Sequence, residues 1–406
     1  MHIKPRNLRV LVICSKFPPA LAPEAAHGFH LCEHLAKRGL DVHLLTTRTD
    51  RLASSSLFTV HALMQGWGWR DLPGLARFIR RCSPDVILLI YVNWIYDYHP
   101  MITFAPTISQ FVSRRARFIT QFENSPGAKV PTGLSRIIWH AIRYAVGKEN
   151  VDVTFGTLLR DSARIIFLSE RHLDDLQNVF ASIRAKSAVI PVPPIMHILP
   201  EEDGLSRKRG RAKVNASEND IVLIYFGYIY RSKRLDTLLR AFQEVASKLN
   251  VKLLIVGGPS GDPDYLREIL NLAKQLRVED RIIWTGHCEP DKEDASVYMR
   301  AADICVLPFD AGVRLNNSSV AVASAHGLPI ITTRGDTLES AFLHQQNVYL
   351  CKPQDPNLLA NAIEHVIDRP DLQARLRAGS LKLAREWFSW EKTIEQTVAT
   401  FNQAVQ

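Results

Sequence analysis

Short, continuous apolar runs alternate with longer amphipathic segments along the whole chain. In the first half the runs are residues 8–15, 41–47, 83–93, 115–124, 163–170 and 187–194, and in the second half they are 220–227, 251–258, 281–286, 303–309, 328–333 and 347–353. Continuous apolar runs of this length are typical of strands that are buried on both faces of a parallel sheet. The pattern therefore predicts two sets of parallel strands.

The segments between these runs have the helical period, so that strands and helices alternate throughout. This order predicts an α/β fold of two doubly wound, Rossmann-like parallel sheets. A chain of 406 residues also exceeds the ~250–300 residues at which a single core usually stops growing. We expect an N-terminal domain over 1–197, a charged linker or surface loop over 198–214, a C-terminal domain over 215–389 and a last amphipathic helix over 390–406.

Composition excludes wholesale disorder, and the charge is unevenly distributed. Hydrophobic residues make up 46% of the chain and charged residues 22%, as in ordinary globular proteins. The formal net charge is +9, and residues 1–200 hold 24 Lys and Arg against 14 Asp and Glu. The first half therefore carries the whole positive excess. This asymmetry indicates either an anionic partner or a solvated basic surface.

Cysteine spacing and the length of the apolar stretches favour the cytoplasm. The six cysteines are far apart and form no C-x-x-C pair, which disfavours a zinc site. The N-terminal apolar run is too short for a signal peptide. The longest apolar stretch, 86–96, is far below the ~20 residues of a membrane-spanning helix. We expect a cytoplasmic protein, with any membrane contact peripheral and on the inner face of the cell membrane.

Several catalytic motifs are missing from the sequence. It contains no G-x-G-x-x-G, P-loop, H-E-x-x-H or G-x-S-x-G, so that a dinucleotide dehydrogenase loses its main support. Polar residues instead follow the predicted strands, at the carboxyl ends where open α/β sheets bind ligands. The search for chemistry therefore turns to the loops after the strands.

Three strand ends of the C-terminal domain are suited to anions. The first strand ends at Gly227, and Arg231 and Lys233 precede the next helix, whose N–H groups and dipole favour negative charge. The second ends in Gly257 and Gly258, which allow close approach to the backbone. Solvated cations and ordinary turns are the alternative at each place alone.

The third strand end leads through a polar loop into a helix of small residues. The loop and the first helical turn contain Gly312, Asn316, Asn317, Ser318 and Ser319. Simple helix capping is the alternative interpretation of these residues. Three such helix starts in one predicted sheet nevertheless favour a phosphate-bearing ligand.

The ordered set of segments resembles a known family. The segments GYIYRSK, KLLIVGG, RIIWTGH, AADICVLPF and AHGLPIITT resemble, in order and spacing, the C-terminal domain of family 4 glycosyltransferases (glycosyl transferases group 1). SKFPP, CEHLAKRGLDVHLLTT, SPDVILL and VIPVPP are similar to the first domain of that family, and FSWEKTIEQTVATF to a C-terminal helix that crosses back onto it. The resemblance implies the GT-B architecture, in which two Rossmann-like domains face a central cleft.

The resemblance also implies a reaction, namely retaining transfer of a sugar from a UDP-, GDP-, ADP- or dTDP-linked donor. No metal or other cofactor is required in that family. Lys233 matches the family's phosphate-binding lysine, and Arg231 is expected to replace an arginine whose usual place holds Tyr228. Gly286 and His287 match the position that meets the nucleobase. Fixed cations of this kind would stabilise the departing nucleoside diphosphate.

One family feature is missing, because the places of a Glu-x7-Glu pair hold Arg314 and Val322. The loop is instead similar to a family variant in which Asp310, or the backbone of Gly312 and Val313, meets the sugar. Asp310 is therefore a candidate catalytic residue.

Two further donor contacts are implied by the resemblance. Ser318 and Ser319 would direct hydroxyl or amide groups at the diphosphate. Glu339 aligns with a carboxylate that is often found after the next strand, although a glutamate that stabilises a helix N-terminus would look the same.

In the first domain, the resemblance indicates His27 and Glu123 as catalytic or acceptor-binding candidates. A carboxylate at Glu123 could orient a hydroxyl or act as an acid or base. An exposed loop histidine, and a turn that Glu123 forms with Asn124, are the alternative interpretations.

The basic runs 77–81 and 114–117 bear on the acceptor. Similar enzymes that build on lipid-linked acceptors dock this domain on anionic membrane, so that we expect a glycan or lipid-linked acceptor and a role in polysaccharide biosynthesis. Nucleic acid is not expected, because stacking aromatics are not interleaved with the cations. A nucleotide-sugar epimerase of the same fold, or a catalytically degenerate transferase that serves as a binding partner, are the alternative functions.

Overall fold

The computed structural model describes residues 8–49, 55–125, 133, 136–138, 140–141, 144, 151–200, 204–260, 262–289 and 292–406. The chain divides into two compact units. The first unit comprises residues 1–191 together with 393–406, and the second comprises residues 192–392. The C-terminal residues therefore group with the first unit.

The first unit is built on a parallel sheet. Its strands are β1 (Arg9–Ile13), β2 (Asp41–Thr47), β3 (Thr59–Met64), β4 (Val86–Tyr91), β5 (Arg117–Phe122), β6 (Arg164–Phe167) and β7 (Ser187–Val189), in the order β3-β2-β1-β4-β5-β6-β7. Its helices include α1 (Pro23–Lys37), α2 (Leu72–Cys82), α3 (Ala105–Val112), α4 (Leu158–Asp161) and α5 (Glu170–Gln177). All six residues of β4 are buried, as a central strand covered on both faces requires.

The second unit has a parallel sheet of its own. Its strands are β8 (Ile221–Phe226), β9 (Val251–Val256), β10 (Ile282–Gly286), β11 (Ile304–Leu307), β12 (Ile330–Thr333) and β13 (Tyr349–Cys351), in the order β10-β9-β8-β11-β12-β13. The helices that follow α5 in the chain are α6 (Leu205–Lys213), α7 (Leu235–Lys248), α8 (Pro263–Gln275), α9 (Asp294–Ala301), α10 (Ser318–Ala325), α11 (Pro356–Ile367), α12 (Pro370–Trp387) and α13 (Trp390–Val405).

The strand order fixes where each unit is suited to a ligand. In the first sheet the order turns between β1 and β4, and in the second between β8 and β11. Ligands of doubly wound sheets bind outside the carboxyl ends of the strands at such a reversal. The predicted α/β fold with two doubly wound parallel sheets is confirmed.

Residues 205–213, which the sequence analysis assigned to the linker, form helix α6 within the second unit. Gly210 allows this helix to approach α9 closely, since a Cβ atom there would lie 2.4 Å from the carbonyl oxygen of Val297. The buried Arg211 forms an ion pair with Asp303 at 3.4 Å. The helix is held by polar contacts, and for this reason its sequence shows no apolar period.

Candidate functional site

Three glycines end neighbouring strands of the second sheet. The Gly227 N–H donates to Val256 and the Gly257 N–H donates to Gly286, each at 3.0 Å. A Cβ atom at Gly257 would lie 2.0 Å from the carbonyl oxygen of Gly227, and Gly257 has a φ of 145°. Only glycine fits this position. The strand ends therefore converge on bare backbone.

An aromatic pair lies beside these glycines. The rings of Tyr228 and His287 are stacked, with centroids 5.8 Å apart and planes 23° apart. A Cβ atom at Gly258 would be 3.4 Å from the Cβ atom of His287. The structure thus brings together the residues that the sequence linked to a nucleobase.

Lys233 ends a short 3-10 turn, Arg231–Lys233, immediately before α7. Its Nζ atom lies 4.3 Å from the ring centroid of Phe309 and 5.4 Å from that of Tyr230. Within the described part of the second unit, no carboxylate lies within ion-pair distance of this Nζ atom. Desolvation lowers the pKa of Lys233 to about 8. A half-buried ammonium without a counter-ion is suited to an anionic ligand.

The N-terminus of α10 lies beside Gly227. A Cβ atom at Gly227 would be 3.7 Å from the Cβ atom of the buried Ser319, and Ser318 is half-buried in the same turn. The first N–H groups of a helix have no intrahelical partner. In the loop before them, the side chain of Asn317 accepts the Arg314 N–H at 2.7 Å. These residues meet at the reversal between β8 and β11.

Arg231 has partners other than the expected ones. Its guanidinium donates to Glu268 at 2.7 and 2.8 Å and to Asp262 at 3.0 Å, and it lies over the ring of Tyr265. Hydrogen bonding to Glu268 raises the pKa of Arg231 further. Its charge is compensated on the exposed surface, so that the structure does not favour Arg231 as the second cation of the lysine site.

The loop before α10 uses its own polar groups. The Val313 N–H donates to Thr333 at 2.9 Å, and the Gly312 N–H is also bonded within the loop. Buried Glu339 accepts the Leu315 N–H at 2.5 Å. The amides of Gly312 and Val313 are therefore engaged within the protein rather than offered to a sugar, and Glu339 fixes the loop. Asn316 lies half-buried in that loop.

Asp310 lies close to the lysine turn, and Arg234 lies close to Asp310. The Asp310 N–H donates to the Ser232 carbonyl at 3.0 Å. The Asp310 carboxylate accepts from Gln354 at 2.6 Å and lies 3.7 Å from the Nε atom of Arg234. The sequence analysis missed Arg234, although two consecutive cations before a helix were a signal for it.

In the first unit, His27 and Glu123 meet although 96 positions separate them. The Nδ1 atom of His27 lies 3.0 Å from Oε1 of Glu123. Gln121 also donates to that carboxylate, at 2.8 Å. His27 lies in α1 and is buried, so that it is not an exposed loop histidine. The two candidates form one buried polar cluster at the carboxyl ends of the strands.

Glu24 belongs to the same region and was missed by the sequence analysis. Helix α1 begins at Pro23 rather than near residue 29, which places Glu24 in its first turn. Its side chain is buried, and its Oε2 atom has no hydrogen-bond partner. Burial raises the pKa of Glu24 to about 7, and the charge of Glu123 raises it further, while a hydrogen bond from Trp94 opposes the rise. Proline at the first helical position followed by an acid was the signal.

Residues 220–369 match the family model of glycosyl transferases group 1. The second unit belongs to this family. The family that the sequence resembles is thereby confirmed, and with it the class of enzyme. In this glycosyltransferase, the matched residues include the glycine ends, the lysine turn and the N-terminus of α10.

Curated relatives of this glycosyltransferase carry one function in their names. A D-inositol 3-phosphate glycosyltransferase 1 of Catenulispora acidiphila is 31% identical over 49% of this chain and 48% of its own length. A D-inositol 3-phosphate glycosyltransferase of Xylanimonas cellulosilytica is 24% identical over 64% of this chain and 60% of its own length. The chain thus spans about half to three fifths of the length of these relatives.

Solved structures share the fold over nearly the whole chain. Sucrose-phosphate synthase from Thermosynechococcus elongatus has a TM-score of 0.73 at 19% identity and covers 98% of both chains. Anabaena HepE in complex with UDP-glucose has a TM-score of 0.69 at 15% identity and covers 97% of this chain and 99% of its own. The predicted GT-B fold class is confirmed by this likeness.

Two searches of the described residues gave no further site. Over those residues, no group of three or more His, Cys, Asp and Glu side chains could hold a metal ion. No described helix is long and apolar enough to cross a membrane.

Proposed function

We propose that the chain is a retaining glycosyltransferase that transfers a sugar from a nucleoside diphosphate donor to a phosphate-bearing or lipid-linked glycan acceptor. One observation carries the donor side of this proposal. The ammonium group of Lys233 is half-buried, has no counter-ion among the described residues and lies at the sheet reversal next to the start of a helix.

Charge development explains why the reaction needs such a group. The bond between the anomeric carbon and the phosphate oxygen breaks, and the nucleoside diphosphate leaves with the bonding electrons. A cation and helix amides that are already in place stabilise the negative charge on the leaving oxygen. With a pKa of about 8, Lys233 is mostly charged at pH 7. The backbone at Gly227 and Gly257 is open enough for phosphate oxygens to approach closely.

The nucleobase is proposed to lie against the pair of rings after β8 and β10. Tyr228 and the exposed His287 offer aromatic surface at that edge, and base–aromatic stacking tolerates different bases. The Anabaena structures hold UDP and UDP-glucose, which makes a UDP-linked sugar the first donor to test.

The acceptor is proposed to bind the first unit. Glu123, held by His27 and Gln121, could orient an acceptor hydroxyl or take its proton. The positive excess of the first half favours an anionic acceptor. The D-inositol 3-phosphate in the names of the relatives is also an anionic acceptor class.

A panel of UDP-, GDP-, ADP- and dTDP-linked sugars tests the reaction class. We expect one nucleotide series to raise the melting temperature of the protein, and its sugar donor to be slowly hydrolysed, because binding to the native state stabilises it. Interconversion of the sugars without transfer would instead indicate an epimerase. Failure of every nucleotide to bind would contradict the proposal and favour a degenerate transferase.

A second proposal concerns an anionic membrane surface on the first unit. Phe111, at the end of α3, is 85% exposed, and the exposed Arg114 follows it. Helix α2 packs on α3 and exposes Arg77 and Arg80. An exposed aromatic ring surrounded by cations is typical of a surface that binds anionic lipid.

Vesicle flotation tests this surface. Each cation near an anionic membrane contributes about 1 kcal/mol, so that the double variant Arg77→Ala, Arg80→Ala is expected to bind phosphatidylglycerol vesicles about 30-fold more weakly. Neutralising Arg240 and Lys274, which are exposed on the second unit, provides the matched control. Equal binding to phosphatidylcholine vesicles, or binding that salt does not weaken, would contradict the proposal.

A further inference from the structure

Arg234 adopts a backbone conformation that arginine rarely occupies. Its φ is 54° and its ψ is 45°, at the residue that precedes α7. The left-handed region is unfavourable for a residue with a Cβ atom and persists where the surroundings hold it. Glycine would adopt this conformation without strain. The strained arginine therefore calls for a reason that lies in its side chain.

The guanidinium of Arg234 is positioned but incompletely bonded. Its Nε atom is buried and has no hydrogen-bond partner. The nearest carboxylates are Asp310, at 3.7 Å from Nε, and Asp236, at 3.5 Å from Nη2. A separation of 3.7 Å is too long for a hydrogen bond. The side chain thus has counter-charges close by and donors still to satisfy.

Arg234 and Lys233 face consecutive residues at the end of β11. The Lys233 ammonium lies over Phe309, and the Arg234 guanidinium lies beside Asp310. A hydrogen bond from the Asp310 N–H to Ser232 ties the two loops together. A diphosphate carries more negative charge than one lysine compensates, and Arg231 is already paired with Glu268 and Asp262.

We propose that Arg234 is the second cation of the diphosphate site, and that Asp310 is its counter-ion while the site is empty. This inference rests on the proposed function and specifies how its donor is held. A phosphate oxygen would satisfy the buried Nε donor, and arginine binds phosphate through two parallel hydrogen bonds. Asp310 would then release the guanidinium, retain its bond to Gln354 and take no part in bond breaking.

Calorimetric titration with UDP and with uridine separates the phosphate contribution from that of the base. Arg234→Gly is the informative variant, because glycine relieves the left-handed strain and should leave the ligand-free melting temperature unchanged or higher. We expect its UDP affinity to fall about 10- to 100-fold, the usual effect of a charge-assisted hydrogen bond, while its affinity for uridine is unchanged. Arg234→Lys should recover part of the loss.

Two further variants complete the test. Arg240→Ala removes an exposed arginine from the same helix and should leave both affinities unchanged. Asp310→Asn should raise UDP affinity, because Arg234 then has less to give up. Should the wild type bind UDP and Arg234→Gly bind it equally well, or should Arg231→Ala alone remove the phosphate contribution, the inference is overturned. If the wild type binds none of UDP, GDP, ADP and dTDP, the proposed function falls first and the inference with it.

Discussion

Replacing Lys233 with alanine is expected to lower donor turnover by at least about a hundredfold, the loss that follows removal of one preorganised electrostatic donor. The half-buried ammonium has no carboxylate partner among the described residues, so that no internal ion pair is broken by the change. The stabilisation lost is instead that of the leaving diphosphate. The measurement is the initial rate of donor consumption at saturating acceptor, or of donor hydrolysis if the acceptor is not in hand.

Two comparisons make the result specific. Lys274→Ala removes an exposed lysine of the second unit and should leave the rate unchanged. Lys233→Arg retains the charge but not the compact shape of the ammonium, and an intermediate rate is expected. A Lys233→Ala protein that turns over donor at nearly the rate of the wild type would remove the support for the donor site.

Glu24→Gln is expected to stabilise the first unit at alkaline pH and to have little effect in acid. Burial raises the pKa of Glu24 from its ordinary value of 4.5 to about 7. The native state therefore holds the proton more tightly than the unfolded state does, and stability falls as the pH rises from 4.5 to 7. Above pH 7 the loss amounts to about 3 kcal/mol. Glutamine remains neutral and avoids that loss.

Hydrogen exchange of peptides from α1, in urea at pH 5 and at pH 8.5, measures this effect locally. The variant should gain protection over the wild type at pH 8.5 and much less at pH 5. Glu395→Gln, at an exposed carboxylate in α13, is the control and should show no such pH dependence. A gain of equal size at both pH values would mean that Glu24 is not held as the neutral acid.

The sheets could be predicted because buried parallel strands leave a continuous apolar signature. Strand β4 is apolar at all of its buried positions, and the predicted run at 83–93 contains it. Strand β3 lies at the edge of its sheet and is only partly buried. Its sequence, TVHALM, gave no continuous run, and the prediction did not include it. Helix α6 was hidden for a related reason, since its buried side chain is Arg211.

The candidate site could be predicted residue by residue, but not its pairings. Lys233 and Glu123 followed from their places after strands, whereas the choice between Arg231 and its neighbour depends on which carboxylates lie nearby. Glu268, which pairs with Arg231, lies 37 positions away. Spacing along the chain carries no information on such contacts. The left-handed conformation of Arg234 is likewise visible only in the fold.

A crystal structure of the protein with bound UDP tests the central claim most directly. The account predicts that the diphosphate lies at the reversal between β8 and β11, with a phosphate oxygen about 2.8 Å from the Nζ atom of Lys233. A diphosphate that binds elsewhere, or a Lys233 side chain that turns away from it into solvent, would contradict the account.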